Sequence, residues 1–231
     1  MRKRNNQWDH NLDAVIDAVT PSTRLVYLIS PSNPEGVVLR RAELLAFLDR
    51  LPKGLPILLD EAYFEYVDDP EAISGFDLLE REERPIIGLR TFSKFYALAS
   101  MRTGYAYGRP EVIELLNRGE RIFNISHLAE MAAVTALEDT KWQEKVRTTT
   151  LAERKRIEAA LSDMGLDYIP SQAPYLLLEL PKDLDTVIDR FAEEGIFIGR
   201  KSFYKRKFLL LPISTQAENT RHIAILKSLC K

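Results

Sequence analysis

Pro85-Ile-Ile-Gly-Leu-Arg-Thr-Phe-Ser-Lys-Phe-Tyr-Ala-Leu-Ala-Ser-Met-Arg-Thr-Gly-Tyr-Ala-Tyr-Gly108 places a short polar connection between two apolar runs. Pro85 to Leu89 reads as a strand and Gly104 to Gly108 as a second one. Lys94 therefore falls just beyond a strand end, and in open α/β sheets ligands bind at such ends. A lysine there can be desolvated, which disfavours its ammonium form and leaves an amine able to attack a carbonyl. That is Schiff-base chemistry. Ser93 and Arg102 are the groups placed to hold an anion nearby, one as a neutral donor and one as a charged fork.

Working outward, two more strand ends carry polar loops. Arg24-Leu-Val-Tyr-Leu-Ile29 is a continuous β-prone run, expected as a strand buried on both faces. Ser30-Pro-Ser-Asn-Pro-Glu-Gly36 follows, dense in turn formers. Ile57-Leu-Leu59 runs directly into Asp60-Glu-Ala-Tyr63. Helical spacing of apolar residues predicts helices over residues 10–19 and 41–51. Near-continuous apolar strands separated by helices argue for α/β, a mostly parallel sheet with helices on both faces.

Downstream, helices are expected at 111–116, 128–137 and, as a long charged stretch, 141–164. Gly165 is the expected stop of the long helix. Strands at 175–180, 196–198 and 208–213 then mix with helices at 184–192 and 217–229, giving a smaller α+β unit. The expected division is a large domain over 1–140 and a small domain over 141–231 that begins with the connecting helix.

Composition narrows the function classes. The chain has 231 residues, 45% hydrophobic and 29% charged, with a net charge of -2, so neither nucleic acid nor an anionic membrane is an expected partner. No apolar run has the length of a transmembrane helix, and the first residues lack the apolar segment of a secretory signal, so the expected location is cytoplasmic. Cys230 is the one cysteine and is expected to have no structural or catalytic role. His10, His127 and His222 are scattered without ligand spacing, which gives no support to metal chemistry.

The three loops, Asn33-Pro-Glu-Gly36, Asp60-Glu-Ala-Tyr63 and Ser93-Lys94 with Arg102, together resemble the cofactor site of the class I/II, fold-type I, pyridoxal-phosphate aminotransferases. The stretches from Leu12 to Gly36 and from Arg90 to Lys94 are most similar to the histidinol-phosphate aminotransferases. The resemblance implies that Lys94 links covalently to the aldehyde of pyridoxal 5'-phosphate and later carries a proton as general acid and base. By the same resemblance Asp60 faces the pyridine nitrogen, Tyr63 and Asn33 hydrogen-bond the phenolic oxygen, and Ser93 and Arg102 hold the phosphate. It also implies a homodimer acting on a small-molecule amino donor and a 2-oxo acid. Each residue has an ordinary reading too: Asp60 as a helix cap, Asn33-Pro34 as a turn, Tyr63 as a core aromatic, Arg102 as a surface charge.

Two departures from the resemblance stand out. The family carries a long segment before the position of Leu12, expected to supply a phosphate-binding helix start, a ring stacked on the cofactor and a reach to the partner subunit. The family also places an arginine for the substrate carboxylate where this sequence has Leu210, with Lys205, Arg206 and Lys207 just upstream as candidate substitutes. Transamination of an amino acid or amino-alcohol phosphate is the leading expectation. Decarboxylation of a phosphorylated amino acid, as in the threonine-phosphate decarboxylases, and a catalytically silent binding or dimerisation module are the alternatives.

Overall fold

The computed structural model describes residues 2–4, 7–81, 83–180, 183–203 and 206–229; Lys205 and Cys230 lie outside them. In chain order its strands and α-helices are β1 (Arg2–Arg4), β2 (Gln7–Asp9), α1 (Leu12–Ala18), β3 (Val26–Ile29), α2 (Arg41–Arg50), β4 (Ile57–Asp60), β5 (Ile86–Thr91), β6 (Gly104–Gly108), α3 (Pro110–Asn117), α4 (His127–Glu138), α5 (Thr140–Asp163), β7 (Asp167–Ile169), β8 (Tyr175–Glu179), α6 (Leu184–Glu193), β9 (Gly199–Phe203), β10 (Arg206–Pro212) and α7 (Gln216–Leu229).

One four-stranded sheet has the order β3-β4-β5-β6. β3, β4 and β5 are parallel, with Ile29 opposite Asp60 and Asp60 opposite Leu89. β6 returns antiparallel to β5; the connection holding Lys94 carries a 3-10 turn, Ala99–Met101, in place of the α-helix that usually makes a parallel crossover. The inward residues Val26, Leu28, Ile57, Leu59 and Ile86 form a core with Leu12 of α1 and Leu44, Phe47 and Leu48 of α2. Burial of large apolar side chains, roughly 1.5–3 kcal/mol each, holds these helices on that face.

The other face is different. Leu25 is 42% exposed and Tyr27 is 51% exposed, and Ala106 is also exposed. The expectation that residues 24–29 are buried on both faces is therefore corrected: β3 is an edge strand with one covered side, and a run of apolar residues does not by itself report how many faces are covered.

The second four-stranded sheet has the order β7-β8-β10-β9 and is antiparallel throughout. Leu176, Leu178, Leu209 and Leu211 pack on one side against Ile157 of α5, Phe191 of α6 and Ile223 of α7. Ile169, Leu177 and Phe208 pack on the other side against Trp8 and Val37. The strand expected at 196–198 is displaced to Gly199–Phe203. Ile196 and Ile198 instead pack on the core beneath α6, while the polar run Arg200-Lys-Ser202 forms the sheet edge, where charged side chains are well tolerated.

The two sheets are pinned together around one glycine. Gly36 has φ of +76°, and a Cβ there would lie 1.8 Å from Ser171 Oγ. The glycine allows both the left-handed backbone and the close approach. Gln172 N–H donates to Gly36 O at 2.7 Å, Tyr175 Oη donates to Ser32 O at 2.8 Å, and Gln172 Oε1 accepts from Asp68 N–H at 2.8 Å. The loop carrying Asn33 is thus held by the start of β8.

Candidate active site

Asp60 closes β4 at its carboxyl end. Its Oδ1 accepts from Ala62 N–H at 3.1 Å, and its Oδ2 accepts from Tyr27 Oη at 2.6 Å. The next residue, Glu61, points into the protein and is 1% exposed. Glu61 Oε2 accepts from Arg90 Nε at 2.8 Å and from Tyr107 Oη at 2.5 Å, while Oε1 accepts from Gly75 N–H at 2.7 Å. Strand alternation sends one carboxylate to the open face and its neighbour into this network.

Arg90 also donates to Glu65 Oε1 at 3.0 Å and lies over the Phe64 ring at 4.7 Å. Burial opposes the Arg90 charge, yet Glu61 and Glu65 outweigh it and hold its pKa above the usual value. Burial pushes the Glu65 carboxyl up, against the lowering effect of Arg90. It also pushes the Tyr107 phenol up, assisted by the charge of Glu61. This locked network fixes the ends of β4, β5 and β6 relative to one another.

The connection after β5 is compact. Ala97 N–H donates to Lys94 O at 3.0 Å and Leu98 N–H to Phe92 O at 3.0 Å, while Phe92 N–H donates to Thr103 O at 3.2 Å. Phe92 and Phe95 are buried and anchor the loop. Arg102 has a left-handed backbone, φ 54°; its Nη1 donates to Ala99 O at 2.8 Å and approaches Ser93 Oγ at 3.5 Å.

Asp60, Lys94, Ser93 and Arg102 line one open hollow of about 380 Å³, with Ala62, Leu89 and Thr91 among its walls. That is within the size range of small-molecule sites. Asn33 and Tyr63 do not line this hollow. They form a pair beside it, Asn33 Nδ2 donating to Tyr63 Oη at 3.2 Å, and Lys94 Nζ stands 5.7 Å from the Tyr63 ring centre. Tyr63 is buried and packs edge-on against Tyr175 at 5.3 Å.

One expectation is corrected here. Lys94 is exposed, not desolvated, because the described residues build the floor of the hollow and leave its open-face side uncovered.

Residues 1–225 match the family Aminotransferase class I and II. The chain belongs to that family. Among its curated relatives, Histidinol-phosphate aminotransferase 2 of Hydrogenovibrio crunogenus is 34% identical over 229 residues, covering 96% of this chain and 60% of the relative. The chain thus spans about 60% of the length of the curated relatives it matches. Among solved structures, histidinol-phosphate aminotransferase from Sinorhizobium meliloti, in complex with pyridoxal-5'-phosphate, superposes with a TM-score of 0.81 at 29% identity, covering 95% of this chain and 62% of that one. L-threonine-O-3-phosphate decarboxylase from Porphyromonas gingivalis superposes with a TM-score of 0.74 at 21% identity, covering 93% and 67%, a likeness of fold alone.

Leu210 lies in β10 opposite Leu177 and Gly199 and packs, partly buried, against the cluster of Tyr63, Phe95 and Tyr175. Arg206 is bound to Glu179, its Nε donating to Oε1 at 2.8 Å, and Lys207 is exposed.

Sequence reasoning assigned no role to Tyr27, Glu61 or Arg90. The available signal was positional: an acid beside Asp60 at one strand end and an arginine at the end of the next strand.

Proposed function

We propose that the chain carries much of the pyridoxal-phosphate site of an aminotransferase of the histidinol-phosphate type. The observation that supports it most is the convergence of Asp60 and Lys94, from adjacent parallel strands, on one hollow that also takes Ser93 and Arg102. The donor set fits the cofactor's chemistry, with a carboxylate for a ring N–H, a guanidinium and hydroxyl for a phosphate, and an amine for an aldehyde. When bound, the cofactor supplies an electron sink for negative charge at the substrate α-carbon. In this reading Asp60 holds the ring proton, Arg102 and Ser93 anchor the phosphate, Asn33 and Tyr63 donate to the phenolic oxygen, and Lys94 moves the proton at the α-carbon.

The amino donor and 2-oxo acid, the homodimer and the division at residues 140 and 141 belong to the same proposal. The exposed apolar residues Leu128, Met131, Val134 and Leu137 on α4 support assembly with a second copy. Two separate apolar cores, one around β4 and one around β8, support the division. The apolar setting of Leu210 favours an amino-alcohol phosphate over a substrate that needs a carboxylate clamp.

Adding pyridoxal 5'-phosphate to the purified chain tests the reading. The expected result is a visible absorbance band that borohydride abolishes and that K94A lacks. A wild-type chain with no such band contradicts it and favours the catalytically silent module.

A further inference from the structure

Tyr27 stands on the open face of the edge strand β3, about half exposed, where burial does not demand an aromatic ring. Its register partner in β4 is Leu58, whereas Asp60 is opposite Ile29. The phenol must therefore lean two residues, about 6.6 Å of strand, toward the carboxyl end to reach Asp60 Oδ2 at 2.6 Å. A tyrosine is long enough for this, and its hydroxyl meets the carboxylate. The other oxygen is already fixed by Ala62 N–H at 3.1 Å. Asp60 is thereby gripped at both oxygens, one by its own loop and one by the neighbouring strand, and each oxygen keeps a further lone pair for a donor arriving from the hollow.

We propose that Tyr27 is a positioning residue for the cofactor site, its hydroxyl orienting Asp60 toward the pyridine N–H. The inference rests on the cofactor reading above. The phenol is suited to this task because it stays a neutral donor: burial, and then the hydrogen bond to Asp60, pushes its pKa up to about 12. It grips the carboxylate across the working range without adding charge.

The test uses the cofactor-loaded chain and reads spectra. A poorly held Asp60 grips the ring proton less firmly, so the ring carries less positive charge and repels a proton on the linkage nitrogen less. In Y27F the pH midpoint of the borohydride-sensitive band is expected to rise, and the cofactor dissociation constant to increase roughly three- to tenfold, the scale of one hydrogen bond to a charged group that water partly replaces. L25A, on the same exposed face and away from the hollow, is expected to change neither. In a D60N background, Y27F is expected to have no further effect on the midpoint, which separates action through the carboxylate from a loosened strand.

An unchanged midpoint and affinity in Y27F, beside a normal wild-type band, overturns this proposal alone. So does a Y27F shift that persists in D60N. A wild-type chain that forms no band overturns the cofactor reading and this proposal with it.

Discussion

The two sheets differ in how much of each is closed. In the C-terminal sheet, Leu176, Leu177 and Leu178 are fully buried in succession, because α5, α6 and α7 cover one side and Trp8 and Val37 the other. In the N-terminal sheet, burial alternates along β3, and the side without α1 and α2 leaves Leu25, Tyr27 and Ala106 in solvent. Asp60 and Tyr27 share that open side. The closed region is where the chain is most sensitive to packing; the open region is where its chemistry gathers, on a floor braced from beneath by Glu61 and Arg90.

If that contrast is right, truncating Phe191 in the closed region has the largest effect. F191A is expected to destabilise the chain by about 3–5 kcal/mol in denaturant unfolding, whereas L25A on the open face is expected to stay within about 0.5 kcal/mol. Equal effects would break the comparison. G36A attacks the junction between the regions. A left-handed backbone and a Cβ overlapping Ser171 together are expected to remove about 2–3 kcal/mol, with weaker cofactor capture because the loop of Asn33 shifts.

L210R sharpens the contrast from the functional side. An arginine beside Tyr63 and Tyr175 is expected to raise half-reaction rates with at least one α-amino acid about tenfold, the scale of a charge-assisted hydrogen bond. No gain with any of several amino acids would count against the reading of Leu210. The smallest effect concerns pH. Burial lowers the pKa of His222, so the unfolded state binds more protons between the two pKa values and stability falls as pH drops below about 6.5. H222Q is expected to flatten part of that loss in unfolding curves at pH 7.5 and 5.5.

Much of this architecture was legible in the sequence, since strands such as Ile57-Leu-Leu59 and helices such as 41–51 declare themselves by apolar spacing. Asp60, Ser93 and Lys94 were legible because each sits at or just beyond the carboxyl end of a parallel strand, where topology forces convergence, and Arg102 because it belongs to the same connection as Lys94. The exposure of Lys94 and of the second face of β3 was not, because coverage depends on what other chain segments bring. Nor was Tyr27: its link to Asp60 spans 33 residues and depends on parallel register, which spacing does not encode. The edge strand β9 escaped for a related reason, its Arg200-Lys-Ser202 run having no apolar pattern.

The account turns on which amine holds the cofactor. The chain is incubated with pyridoxal 5'-phosphate, reduced with borohydride, digested and analysed by mass spectrometry. A single reduced adduct on the peptide containing Lys94, reduced in amount when Asp60 or Arg102 is replaced, is the expected result. An adduct spread over surface lysines such as Lys145 or Lys207, or none at all, would contradict it.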